Sequence, residues 1–231
     1  IDGNPVLMAS PYGHFLAYYD LVQQKWISRL DSSRGIVAAF NLTDNLIRKF
    51  YRSRNGKVWF AMTKDGLGAW ENTSSPKLSY YKNNPSDINS LSSNHVFDIT
   101  DAEDNNVWVS TYGGGLQLFN AATKKFKYIT SSANLLEGIS TDGSGTVWMI
   151  GSGNLHSYNP GTDTYTSYEL PDIERSGGVS GYIYKDAEGK MYTAGKNYYI
   201  SFYPAEIKKQ TTEPQVIFTD LRVFNKSFNH L

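Results

Sequence analysis

No cysteine occurs in this 231-residue sequence. That excludes a disulfide framework, thiolate chemistry and any zinc site built on Cys. It leaves the compartment open, because a chain of this length can bury a sufficient core without cross-links. Long apolar runs are missing as well, and none approaches the ~20 residues needed to span a bilayer. The opening IDGNPVLMAS lacks the basic flank and extended apolar segment of a signal peptide. These features fit either a cytosolic protein or a mature extracytoplasmic piece. Nor is there an excess of charge: 22 Lys and Arg face 22 Asp and Glu, a formal net charge of zero. Bulk electrostatics therefore gives no reason to expect a nucleic-acid or anionic-membrane partner. No stretch holds helical periodicity for long.

Aromatics and turn formers are abundant instead, with 17 Tyr, 11 Phe, 5 Trp and 20 Gly. Many short strands joined by tight turns follow from that balance. The stretch Leu91 to Phe119, LSSNHVFDITDAEDNNVWVSTYGGGLQLF, shows the pattern most clearly. Three apolar-alternating runs are separated by DAEDNN and TYGGG, and a fourth run, Phe126 to Ile129, follows AATKK. This is an antiparallel meander.

The meander recurs. Aligned on the aromatic of its second strand, the chain places Leu7, Trp59, Trp108, Trp148 and Tyr192 in one slot, spaced by 52, 49, 40 and 44 residues. That is the period of a four-stranded propeller blade. A turn glycine precedes the aromatic at Gly3, Gly56, Gly145 and Gly189, with Asn106 standing in once; Gly and Asn both tolerate left-handed backbone. The recurrent Trp residues belong in the wedge between neighbouring blades, where large flat rings fill space, and are read as packing, not sugar platforms.

The predicted fold is all-β: about five blades of four antiparallel strands in a partial ring, then the beginning of a β-sandwich. Repeats occupy 1–203, with blades around 1–30, 31–82, 91–130, 134–170 and 178–203. A polar, Pro-bounded linker spans 204–213, and PQVIFTDLRVFNKSF resumes a strand-rich pattern within 214–231. The first blade begins at the turn before its second strand, so the chain reads as a fragment of a larger ring.

Motifs for catalysis are sparse. His14, His95, His156 and His230 share no metal-ligand spacing, and no HExxH, G-x-S-x-G or phosphate-binding loop is present. Asp101, Asp104 and Asp142 sit in turns, where Asp bonds its own backbone. DGSGT has too few oxygen ligands for a calcium loop. Asn41, Asn72 and Asn225 match the glycosylation pattern, which is common by chance. No catalytic residue, metal site or cofactor is expected.

Blade geometry gathers the second-to-third and fourth-to-first strand loops at one end. The former hold Tyr12, His14, Lys64, Asp65, Tyr112, Lys196 and Asn197; the latter hold Arg34, Asn94, His95, Asn134 and Arg175. Sugars are bound by aromatic faces with amide and guanidinium hydrogen bonds. The candidate ligand-binding set is therefore Tyr12, His14, Arg34, Asn94, His95, Tyr112 and Arg175.

Leu91, Ser92, Ser93, Asn94, Val96, Asp101, Trp108, Thr111, Gly114, Gly115 and Leu116 together resemble the two-component regulator propeller repeat, with the copies around Trp59 and Trp148 matching more weakly. The tail EPQVIFTDLRVFNK looks like the start of the small β-sandwich that follows such propellers. The resemblance implies the periplasmic sensor region of a hybrid two-component system. Such an inner-membrane parent carries propellers, a sandwich, a membrane helix, a histidine kinase and a DNA-binding response regulator. It further implies detection of an oligosaccharide, control of glycan use and a dimeric parent, with the kinase and the membrane contact residing outside this segment. The rival readings are a propeller scaffold for protein partners and, behind it, a propeller lyase or glycoside hydrolase.

Overall fold

The structure, a computed structural model, describes residues 5–10, 16–28, 42, 46–71, 78–129, 135–168 and 178–207, with the backbone of 222–223 and 226–227. Five sheets follow one another along the chain, each with its strands in sequence order and every neighbouring pair antiparallel. Blade 1 contains β1 (Val6–Ala9), β2 (Ala17–Asp20) and β3 (Lys25–Ser28). Blade 2 contains β4 (Ile47–Arg52), β5 (Val58–Met62), β6 (Leu67–Trp70) and β7 (Leu78–Tyr81). Blade 3 contains β8 (Val96–Asp101), β9 (Val107–Thr111), β10 (Gly115–Asn120) and β11 (Lys125–Ile129). Blade 4 contains β12 (Leu136–Thr141), β13 (Val147–Gly151), β14 (Asn154–Asn159) and β15 (Thr164–Tyr168). Blade 5 contains β16 (Val179–Lys185), β17 (Met191–Gly195) and β18 (Tyr199–Phe202), before a 3-10 turn at Pro204–Glu206. A two-residue pair, β19 (Arg222–Val223) with β20 (Lys226–Ser227), is all that is described of the expected sandwich opening.

The all-β, bladed architecture expected from the repeat is the one formed. No sheet closes on itself, and among the described residues the first sheet has three strands, the number left to a blade that begins at its second, while blade 5 has three where four were expected.

The repeat is held together by packing between blades. Trp59, Trp108 and Trp148 are buried, and each meets an aromatic of the next blade: Phe119 at 5.4 Å, Tyr158 at 5.8 Å and Phe202 at 5.2 Å between centroids. A sheet has two faces, and the blade stacked on either side removes both from water. Leu67, Leu91, Ile99, Val109, Phe119 and Phe126 close around Trp59 in the core between blades 2 and 3. The indole N–H is also satisfied in a repeated way. The residue six positions earlier opens the turn and accepts from the ring: Ser53 from Trp59 at 3.3 Å, Asp142 from Trp148 at 2.8 Å and Asp186 from the Tyr192 hydroxyl at 3.0 Å.

Two slots differ from expectation. Leu7 is 59% exposed, whereas its neighbours Val6 and Met8 pack on the blade 1–2 core. Met8 pairs with Tyr18, two residues before the turn-opening Asp20, as Trp108 pairs with Leu118 two before Asn120. Met8 therefore holds the aromatic slot, and a one-residue slip turns every side chain to the other face. In blade 3 the left-handed residues are Asp104 and Asn105, not Asn106. Two positive-φ residues, closed by Asn106 N–H to Glu103 O at 2.9 Å, meet the requirement of a type I′ hairpin turn.

Each described inner strand carries an irregularity, and in β4 and β8 it falls at the same place. In β4, Ile47 pairs with Met62 and Lys49 with Ala61, leaving Arg48 outside the ladder; in β8, Phe97 is left out between Val96 and Asp98. β12 and β16 shift register between Leu136 and Ile139 and between Ser180 and Tyr184. An inserted residue bends the strand and re-aims its side chain. At Gly138 the neighbouring blade comes so close that an added Cβ would lie 2.4 Å from the Gly181 carbonyl oxygen. Only glycine fits there without moving backbone.

Candidate functional site

The Leu-Ser-Ser-Asn motif builds one corner of the loop-bearing end. Leu91 is buried in the core. Ser92 Oγ donates to Gln117 Oε1 at 2.7 Å and lies 3.0 Å from Thr111 Oγ1, while its N–H also reaches Gln117 Oε1 at 2.8 Å. Ser93 Oγ accepts from the His95 N–H at 3.2 Å. Asn94 Oδ1 accepts from the Asn83 N–H at 2.7 Å, and its carbonyl accepts from Gly66 N–H at 3.0 Å. These bonds tie the loop entering β8 to blade 2 and to its own blade.

That clamp presents His95 at the start of β8. The His95 ring stacks on Phe97 at 4.9 Å and 16°, and on Tyr112 at 5.4 Å and 21°. Tyr112, just beyond β9, is 54% exposed, and its N–H donates to the His95 carbonyl at 2.9 Å. Arg48 reaches over from blade 2. Its guanidinium carbon lies 4.2 Å above the Phe97 centroid, and its Nε donates to His95 Nε2 at 3.2 Å. From blade 5, the Tyr182 hydroxyl donates to the Arg48 carbonyl at 3.2 Å. Burial pushes the Tyr182 hydroxyl pKa up; Asp98 adds to the rise and Arg48 opposes it.

Beneath this surface lies a buried carboxylate, Asp98 on β8. It pairs with Lys49 Nζ and accepts from the N–H groups of Ile99 at 2.7 Å and Ile139 at 2.9 Å. Burial raises its pKa, while Lys49 and the two backbone donors pull it back down. Glu137 accepts from the Gly181 N–H.

Of the seven predicted site residues, the structure brings His95 and Tyr112 into contact and puts Asn94 beside them. The Asn94 side-chain oxygen is already engaged in holding the loop. Tyr12, His14, Arg34 and Arg175 lie outside the described residues. Asp65 is buried and pairs with Lys82 at 2.6 Å. Arg48, Phe97 and Tyr182 lie in inner strands, outside the loops from which the candidate set is drawn. The signal in the sequence was weak: LIRKFYR and HVFDITD each carry one residue more than a clean alternation allows.

Elsewhere, His156 is buried and its Nε2 lies 3.0 Å from the Gly151 carbonyl, while Nδ1 has no partner. Burial lowers its pKa. A cleft of about 370 Å³ opens at the other end of blades 3 and 4, lined by Asp101, Glu103, Asp104 and Asp142 among others. Its carboxylates serve local structure: Asp101 pairs with Arg54 at 3.3 Å, and Asp142 accepts from the Ser144 N–H at 2.8 Å and from Trp148. Among the described residues no group of three His, Asp or Glu could hold a metal ion.

Fold and site together define a propeller-blade protein with an aromatic, arginine-bearing surface where its loops gather. Residues 90–113 match the family model described as "Two component regulator propeller". The chain is 22% identical over 98% of its length to a protein named histidine kinase P4 from Formosa agariphila, of which it spans 17%. Two structures of the extracellular domain of the BT4673 system of B. thetaiotaomicron share the fold. One has a TM-score of 0.64 at 20% identity over 88% of this chain and 26% of that one. The other has a TM-score of 0.62 at 15% identity over 90% and 30%. Virginiamycin B lyase from Staphylococcus aureus has a TM-score of 0.57 at 12% identity, over 84% of this chain and 64% of that one. The chain therefore carries a two-component regulator propeller repeat and spans a small part of the histidine kinase that it matches.

Proposed function

We propose that this chain belongs to the extracytoplasmic sensing region of a hybrid two-component histidine kinase, where it binds an oligosaccharide and has no catalytic role. The stacked rings of His95, Phe97 and Tyr112 at the loop-bearing end carry the reading. Flat aromatic faces with hydroxyl and guanidinium donors at their rim match the alternating apolar and hydroxyl surfaces of a sugar. The two-component repeat and the histidine-kinase relative support the signalling context. The shared fold with domains described as extracellular supports a periplasmic location in an inner-membrane parent. The parent acts as a dimer and passes the signal to transcriptional control of glycan use. A ligand drives this only by binding one arrangement of the sensor better than the other. A scaffold for protein partners would instead present an apolar mouth.

The test is calorimetric titration of the full chain, and of the ectodomain containing it, with a panel of oligosaccharides. Tyr112→Ala is expected to weaken binding about tenfold while the fold is retained, because the ring is exposed. Absence of saccharide binding by the intact ectodomain would remove the reading.

A further inference from the structure

We infer that Arg48 makes this mouth selective for an acidic saccharide, one bearing a carboxylate or a sulfate ester. The inference rests on the sugar-binding reading above and adds the charge of the ligand to it.

Three contacts fix the Arg48 side chain and the backbone that carries it. Phe97 supports the guanidinium plane from below at 4.2 Å, His95 Nε2 accepts its Nε–H at 3.2 Å, and Tyr182 anchors its carbonyl at 3.2 Å. The hydrogen bond from Nε uses His95 Nε2 as its acceptor. With Nε on His95 and the Tyr182 hydroxyl also bonding the guanidinium, a ligand can still meet Nη1 and Nη2, each of which carries two N–H groups. Together they present an end-on fork, the geometry that receives two oxygens of one carboxylate or sulfate. Arg48 is exposed, and no carboxylate pairs with it among the described residues.

The nearby carboxylates do not compete for it. Asp98 is fully buried and held by Lys49 and two backbone N–H groups. Glu137 is engaged by the Gly181 N–H. The contrast with Arg54 is informative, since at the other end of the same strand pair that arginine is matched to Asp101 at 3.3 Å. At the mouth the fold supplies a held, oriented guanidinium and leaves the anion to be brought by the ligand. The rings beside it then receive the sugar face.

The experiment titrates the full chain with uronate-terminated and sulfated oligosaccharides, each beside its carboxyl-reduced or desulfated counterpart. Acidic members are expected to bind at least about tenfold more tightly than their neutral counterparts, and added salt should narrow that gap. Arg48→Gln should erase most of the preference, read as the ratio of acidic to neutral affinity in the same variant. Arg48→Lys should restore only part of it, because an ammonium lacks the fork. Comparing the uronate and sulfate arms identifies which anion is preferred. Equal binding of acidic and neutral members, or a preference surviving in Arg48→Gln, overturns the inference and leaves saccharide binding standing. Binding of no member overturns both.

Discussion

The carboxylate of Asp98 on β8 accepts the backbone N–H of Ile139 on β12 at 2.9 Å while its other oxygen meets Lys49 on β4. One buried side chain thus joins three consecutive blades, directly under the aromatic surface.

Removing that carboxylate takes the acceptor from two buried N–H groups, those of Ile99 and Ile139, and leaves Lys49 without its counter-charge. Asp98→Ala should cost about 2–4 kcal/mol, since loss of one partner from a buried pair is more damaging than loss of both. The double variant Asp98→Ala with Lys49→Met should recover part of that loss. Urea denaturation of the three proteins checks it.

Gly138 should not tolerate a side chain. Its added Cβ would lie 2.4 to 2.8 Å from backbone atoms of Gly181, Tyr182 and Ile183, which cannot rotate away. Gly138→Ala is expected to destabilise by about 2 kcal/mol or more, through displacement of blade 5 from blade 4. Gly143→Ala, with nothing within 4 Å of its new methyl, should fall within about 0.5 kcal/mol of the parent.

Acid should weaken the fold through His156. Burial lowers its pKa from the ordinary 6.5, so on acidification the unfolded chain takes up a proton before the native one does. Stability then falls as pH drops below about 6.5 and levels off once the native imidazole is protonated too. His156→Leu removes the titrating group and its unpartnered Nδ1, and thermal melts between pH 7 and 5 should show a flatter profile for it.

The Met8 slot can be tested directly. Met8→Ala should cost about 1–2 kcal/mol, because Met8 packs on the blade 1–2 core. Leu7→Ala should cost less than about 0.5 kcal/mol, because Leu7 is 59% exposed. Equal costs would mean that the strand is registered as the sequence alone suggested.

Blade number and the packing role of the tryptophans were legible because both depend on local pattern: a buried ring recurs wherever a blade must cover its neighbour. That His95 and Tyr112 lie side by side was legible too, since a loop's position follows from the order of the strands around it. Register was harder. Leu7 and Met8 are both apolar, and only pairing with Tyr19 or Tyr18 decides which faces the core. The turn at Asp104 and Asn105 was misplaced by one residue because three polar turn formers in a row offer no punctuation. Arg48 escaped notice for a longer-range reason. Whether a residue leaves the ladder depends on where its partner strand runs, and LIRKFYR records that only as one extra residue between Ile47 and Phe50.

The inserted residue of β4 and of β8 has a further consequence. At Ile47 of β4 and at Val96 and Ile99 of β8, exchanging a side chain also alters the core on one face of a blade. Arg48 and Phe97 stand outside the pairing on either side of them. Their chemistry can be rewritten one blade at a time, as characters are reset on a combination lock, while the case that holds them keeps its shape.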